Sequence, residues 1–245
     1  MAFTFFTKKK EQNLFKGLVD FHNHILPGID DGSKSVSESL RMLNLYQDLG
    51  FETVIASPHI YKELYPNTPE SIAKSFDTLN QKAKYNKIQV KGYGAEYLVD
   101  EFFLKDLKKN KPLLCCFKQN LLIEIPFFND LRLLKEAIFA IQNKGYNSIL
   151  AHPERYAAIN KTKDLEDLKI RGAKMQLNTL SLMGYYGTET KKKAFEWLLK
   201  GHYDFLGTDA HNAHQLLTLK SLQLNKKQLM AWRKVCELQL KEISF

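Results

Sequence analysis

Short apolar, β-rich runs recur along the chain and alternate with longer segments punctuated like helices. The runs fall at residues 18–22, 53–56, 89–95, 121–125, 148–151, 174–177 and 204–206. Between them, Ser35-Val36-Ser37-Glu38 has capping-box spacing and Gly50 stands where a glycine closes a helix. Thr68-Pro69 reads as an N-cap followed by proline in the first turn. Further helices are predicted from Asp130 to Gly145, over 165–171 and 190–200, and from near Asn225 almost to the C-terminus. This alternation predicts parallel strands covered by helices. Seven strand candidates suit a closed barrel or an open doubly wound sheet, and periodicity does not separate the two. With no repeat, low-complexity tract or linker, residues 1–245 read as one domain, with 1–16 as an N-terminal arm.

Polar residues are placed systematically relative to these strands. His22 and His24 close the first, His59 follows the second, Glu96 follows the third, and Glu124 ends the fourth. His152 ends the fifth, and Asp209 and His211 follow the seventh. In parallel α/β folds the C-terminal strand ends share one face, where active sites are built. A His-x-His pair or a lone carboxylate at a strand end has ordinary explanations, such as a polar contact or a helix cap. Five of the seven histidines at equivalent positions, together with three carboxylates, point instead to a metal site. Imidazole and carboxylate ligation without cysteine suits manganese, iron or zinc and does not choose among them.

Composition narrows the class. Hydrophobic residues make up 44% of the 245 positions and charged residues 26%, an ordinary globular balance. No apolar run approaches the roughly 18–20 residues that span a bilayer. The N-terminus places its aromatics (Phe3, Phe5, Phe6) before Lys8 to Lys10, the reverse of a signal peptide. Cys115, Cys116 and Cys236 do not form a disulfide framework, so a cytoplasmic setting is expected. None has an arginine six residues later, as a cysteine-dependent tyrosine phosphatase requires. The net charge of +9 is spread over helical faces and loops, and no nucleic-acid-binding signature accompanies it.

The motifs themselves reach a known family. Asp20-Phe21-His22-Asn23-His24, Asp30-Asp31-Gly32, Ser57-Pro58-His59, Gly94-Ala95-Glu96-Tyr97, Leu122-Ile123-Glu124, Ala151-His152-Pro153-Glu154-Arg155-Tyr156 and Gly207-Thr208-Asp209-Ala210-His211 resemble the PHP (polymerase and histidinol phosphatase) superfamily. Within it they look most like the bacterial capsule-biosynthesis tyrosine phosphatases of the CpsB type. The resemblance runs from about Val19 to His211. It implies a distorted (β/α)7 barrel and three divalent metal ions, with manganese first among the choices. By matching positions, His22, His24, Glu96 and Asp209 would hold one ion. Glu96, Glu124 and His152 would hold a second, and Asp31, His59 and His211 a third.

Four carboxylates against three divalent ions leave about two positive charges to receive a phosphate. Arg155 adds a planar donor suited to phosphate. A hydroxide bridging the metals, held by Glu96 and its neighbours, would attack phosphorus in line. Relatives of this type often carry a second arginine beyond the last histidine, where this chain has Asn212-Ala213-His214, so His214 is a candidate substitute. Tyr156 is a candidate substrate contact, and Tyr61, Tyr65, Phe127, Phe128, Tyr185 and Tyr186 lie near the expected rim. The resemblance implies hydrolysis of protein phosphotyrosine, on a bacterial tyrosine kinase controlling polysaccharide synthesis. A small-molecule phosphomonoesterase of the histidinol-phosphatase type, a PHP nuclease and a metal-free binding platform are the alternatives.

Overall fold

The computed structural model describes residues 12–109, 112–126 and 131–243. Nine strands and nine α-helices are present among them. A three-stranded sheet has the order β1 (Val19–Asp20), β2 (Thr53–Ala56), β4 (Val90–Tyr93). A six-stranded sheet runs β3 (His59–Ile60), β5 (Glu96–Leu98), β6 (Asn120–Glu124), β7 (Asn147–Ala151), β8 (Lys174–Asn178), β9 (Phe205–Gly207). Every strand pairing is parallel. The third expected strand is β4, and an additional strand follows it, because the chain leaves β4 at Gly94 and starts β5 at Glu96 in the other sheet. A Cβ at Gly94 would lie 2.6 Å from the backbone of Cys116, so only glycine fits where the chain changes sheets. His59 likewise begins a short strand of its own.

The helices α1 (Val36–Leu49), α2 (Pro69–Ala83), α4 (Leu131–Asn143), α5 (Thr162–Ile170), α7 (Thr188–Lys200) and α9 (Lys226–Glu242) follow the expected punctuation. Asp130, the expected start of α4, lies outside the described residues. Ser35 Oγ accepts from Glu38 N, but the Glu38 carboxylate accepts from Lys34 N instead of closing the reciprocal box on Ser35. Gly50 caps α1 at φ 91°, a conformation that only glycine reaches cheaply. Three short helices have no strong sequence signal: α3 (Glu101–Lys108), α6 (Thr179–Met183) and α8 (Ala213–Leu219).

Alternation along the strands builds two packing surfaces. Leu121 and Ile123 of β6 and Leu150 of β7 join the main core with the helices. Leu122, Ile149 and Ala151 face the other way, meeting Val19 and Ile55 of the smaller sheet and Phe205 of β9 in a separate cluster. With a side-chain period of two, Glu124 projects on the same side as Leu122, at the C-terminal end of its strand.

Only residues 12–16 of the expected N-terminal arm are among the described residues. Residues 1–11 lie outside the described residues, but 12–16 pack onto the body. Leu14 and Phe15 are buried, Phe15 stacks on Phe51, and Trp232 of α9 donates its indole N–H to Leu14 O. Apolar residues at 14 and 15 gain too much from burial to stay in solvent.

Candidate metal centre

The sequence motifs converge beyond the C-terminal strand ends. His22 Nε2 lies 3.1 Å from Glu96 Oε1 and 3.3 Å from Asp209 Oδ1. His24 Nε2 is 3.4 Å from Glu96 Oε2 and 3.3 Å from Asp209 Oδ1. His59 Nδ1 is 3.3 Å from Glu96 Oε2 and 3.2 Å from Glu124 Oε1, while its Nε2 is 3.4 Å from Asp31 Oδ1. His211 Nε2 approaches the same Asp31 oxygen at 3.5 Å. His152 Nε2 lies 3.3 Å from Glu96 Oε1. Glu96, fully buried, is the hub.

Three sets of mutually close donors result: His22, His24, Glu96 and Asp209; His24, Asp31, His59 and His211; and His59, Glu96 and Glu124. The first is the set that the resemblance implied. The second adds His24 to the expected three. The third has His59 where His152 was expected, because the His59 ring lies between Glu96 and Glu124. The geometry fits metal ions. Donors about 2.1 Å from a common ion sit roughly 3.0–3.4 Å from one another, and the closest nitrogen–oxygen pairs here fall in that range. His22 Nε2, His24 Nε2, His59 Nδ1 and both Glu96 oxygens are buried without a hydrogen bond. Protein interiors rarely leave five such atoms unsatisfied in one place.

The ligand rings are held from behind. His22 Nδ1 donates to Gln176 Oε1 at 2.8 Å, and His24 Nδ1 donates to Asp30 Oδ2 at 2.8 Å. His211 Nδ1 donates to the Asp209 carbonyl at 2.9 Å. Each bond fixes the tautomer that turns an Nε2 lone pair inward. Asp30 also accepts from the backbone N–H groups of His59 and Gly32, so one carboxylate ties two ligand loops together. A Cβ on Gly32 would sit 2.2 Å from His24 O, which requires glycine there. Asp20 binds Tyr46 Oη, Thr208 Oγ1 and Thr208 N, joining β1 to the loop after β9. An isolated parallel bridge, Asn23 to Ala210, continues that junction.

Two ligand candidates sit in the left-handed backbone region, His152 at φ 37° and Asp209 at φ 51°. Such strain in a non-glycine residue persists only where its surroundings hold it, and it clusters at functional sites. In His152 it breaks the strand alternation after Ala151.

The electrostatics are those of a site built for cations. Burial disfavours charge on His22, but Glu96 and Asp209 outweigh it and hold its pKa well above the usual imidazole value. His24 is raised against the same burial penalty by Asp30, Asp209 and Glu96. Burial opposes ionisation of Glu96 and Asp209 too, yet the facing histidines keep both well below the ordinary carboxylate range.

A cavity of about 350 Å³ opens over the cluster. Arg155 lines it, with Nη1 2.8 Å from Asp209 Oδ2 and the guanidinium 4.1 Å from the centre of the Tyr186 ring. Asn178 Nδ2 donates to the same Asp209 oxygen and to Tyr186 Oη. Glu154, the other acid near Arg155, is instead buried against Ser181, Tyr203 and Asn178 N. Two expected substrate contacts fall elsewhere. Tyr156 is fully buried, its hydroxyl accepting from Ile125 N, and it does not line the cavity. His214 is exposed on the first turn of α8 and does not line the cavity, because Asn212 caps that helix and turns position 214 outward. Phe127 and Phe128 lie outside the described residues. Asp30, Gln176 and Asn178 had no assigned role in the sequence, and Tyr186 was expected only as a rim aromatic. Only the Asp30-Asp31 doublet carried a signal.

Residues 18–236 match the family model for capsular polysaccharide synthesis, CpsB/CapC. The chain belongs to the CpsB/CapC family. Among curated proteins, the tyrosine-protein phosphatase YwqE of Bacillus subtilis is 31% identical over 80% of this chain and 78% of its own length. The tyrosine-protein phosphatase CpsB of Streptococcus pneumoniae is 28% identical over 80% of this chain and 83% of its own length. A crystal structure from work on YwqE and CpsB, described as unique metal-dependent tyrosine phosphatases, superposes with a TM-score of 0.75 at 28% identity. It covers 93% of this chain and 96% of that one. The match spans both sheets and all the strand-end motifs of this CpsB/CapC member.

Proposed function

We propose that this chain is a metal-dependent protein-tyrosine phosphatase of capsular or exopolysaccharide synthesis. The observation that carries the proposal is the convergence of buried, hydrogen-bond-orphaned imidazole and carboxylate atoms beside Arg155 at the floor of one open cavity. The names of YwqE and CpsB supply the reaction class. His22, His24, Asp31, His59, Glu96, Glu124, His152, Asp209 and His211 would hold three divalent ions, manganese being the first to test. Bound there, the ions would acidify water and offset phosphate charge.

Arg155 binds and orients the phosphate. Its pairing with Asp209 and stacking on Tyr186 fix the guanidinium plane at the cavity wall, beside the metal cluster. Asp209 thus serves both the metal set and the phosphate clamp. The tyrosine leaving group, with an ordinary pKa of about 10, leaves more readily than an alkoxide. A site whose histidines are committed to metal suits such a substrate.

The chain reads as one domain, and the Asn23 to Ala210 bridge supports a distorted barrel that joins the two sheets. No helix among the described residues is long and apolar enough to cross a membrane. The free cysteines suit a reducing cytoplasm, where a tyrosine kinase with a phosphorylated tail is the expected partner. The test is hydrolysis of a phosphotyrosine peptide by manganese-loaded protein beside His152→Ala and Arg155→Ala. Activity in the wild type and loss in both variants is expected. No turnover by a fully metallated wild type would overturn the assignment.

A further inference from the structure

The cavity has two characters. Its floor is the carboxylate and imidazole cluster, but one part of its lip is apolar. Leu98, Ile125 and Pro126 form one part of the wall, and Leu64 and Tyr65 another. Leu64 lines the cavity and is 63% exposed, so its side chain is open to a ligand entering there. It is carried on a small hairpin rather than a loose loop. Tyr61 and Tyr65 exchange both backbone hydrogen bonds, at 2.9 and 2.7 Å. Asn67 Nδ2 anchors the hairpin base to Ile29 O and His59 O, and Lys62 sits 4.2 Å over the Phe102 ring. The Tyr65 ring stacks on His59, 5.4 Å between centroids at 12°. The lip is therefore fixed relative to the metal cluster before any ligand arrives.

We infer that the Leu64–Tyr65 hairpin, facing Leu98, Ile125 and Pro126, is the subsite that receives the aromatic ring of the substrate ester and so selects aryl over alkyl phosphates. This deepens the phosphatase reading and rests on it. A phosphate bound at the floor beside Arg155 projects its ester group toward the mouth, and a flat ring entering there meets apolar surface. A short alkyl chain meets the same floor and covers little of the lip. Selection then comes from ring burial, while the phosphate end treats all monoesters alike. An exposed, pre-positioned leucine gives ring contact at little entropic cost.

The test separates this subsite from the reaction. Phenylphosphonate and methylphosphonate, neither of them hydrolysed, are titrated by calorimetry into manganese-loaded wild type and Leu64→Ala protein, with metal content checked by elemental analysis. Leu64 is exposed, so its substitution leaves the fold and the ligand cluster intact. Wild type is expected to bind the phenyl probe about tenfold more tightly than the methyl probe, the effect of burying roughly 50 Å² of apolar surface. In Leu64→Ala that preference shrinks several-fold while methylphosphonate affinity is unchanged. Equal binding of both probes by wild type overturns the inference, as does a preference that survives Leu64→Ala intact or a variant that loses both probes alike. Failure of the phosphatase reading shows separately, as absent turnover of phosphotyrosine peptide by protein that still binds the probes.

Discussion

At the residue scale, the site depends on side chains that touch no ligand position of their own. Asp30 is the sharpest case, since its carboxylate sets the His24 tautomer and holds the His59 and Gly32 backbones. Asp30→Ala removes all three bonds, whereas Asp30→Asn keeps the shape and loses the charge. Metal affinity measured by competition with a chelator is expected to fall about 10–100-fold in Asp30→Ala, and less in Asp30→Asn. Unchanged affinity in both would assign Asp30 to loop structure alone. The cysteines make the opposite prediction. Burial pushes the Cys115 thiol up to about 11 and the Cys236 thiol up to about 12, and Cys116 is higher still. At pH 7.5 little thiolate exists, so iodoacetamide is expected to leave peptide hydrolysis unaffected over an hour. Rapid inactivation matched to labelling of one cysteine would contradict a metal-based reaction.

At the element scale, legibility in the sequence followed local signals more than length, since the two-residue β1 and three-residue β9 overlap the predicted runs 18–22 and 204–206. Helices with caps at Ser35, Thr68 and Asn225 and strands of four or five residues were readable, because capping chemistry and apolar runs are local. The two-residue β3 and three-residue β5 were not, since His59 and Glu96 look like loop residues until a second sheet pairs them. The same change of sheets explains why the ligand positions were readable while the membership of the third set was not. Each motif marks a strand end, but that His59 lies between Glu96 and Glu124 is a tertiary fact. Tyr156 and His214 lie away from the cavity for a related reason: burial and helix phase are invisible in a motif. Gly32 gives a test at this scale. Adding one methyl forces apart the turn that carries Asp30 and Asp31. Gly32→Ala is expected to lower Tm by several degrees and to reduce manganese stoichiometry, read by calorimetry and elemental analysis. A variant that keeps wild-type stoichiometry would show that the Asp31 loop tolerates displacement.

At the scale of the whole molecule, the cluster joins strand ends from both sheets, so metal binding and folding are one equilibrium. Without metal, the site is held by its own ion pairs. His22 and His24 have folded pKa values above the ordinary one, so their contribution is complete below about pH 6.5 and disappears as pH rises through those raised values. Glu96 and Asp209 are lowered, so theirs is present above about pH 4 and disappears as pH falls through the lowered values. These are two views of the same pairs and count once. The metal-free protein is therefore expected to lose stability on the alkaline side of neutrality. Metal binding runs the other way, because the imidazole nitrogens must shed protons to bind, and affinity rises with pH. At fixed manganese, the Tm difference between metal-loaded and chelator-treated protein should widen steadily from pH 6 to pH 8. Scanning calorimetry at three pH values reads it directly. A gap that is constant or narrows toward pH 8 would mean that the buried histidines are not the groups exchanging protons for metal, and the ligand assignment would have to be redrawn around the carboxylates alone.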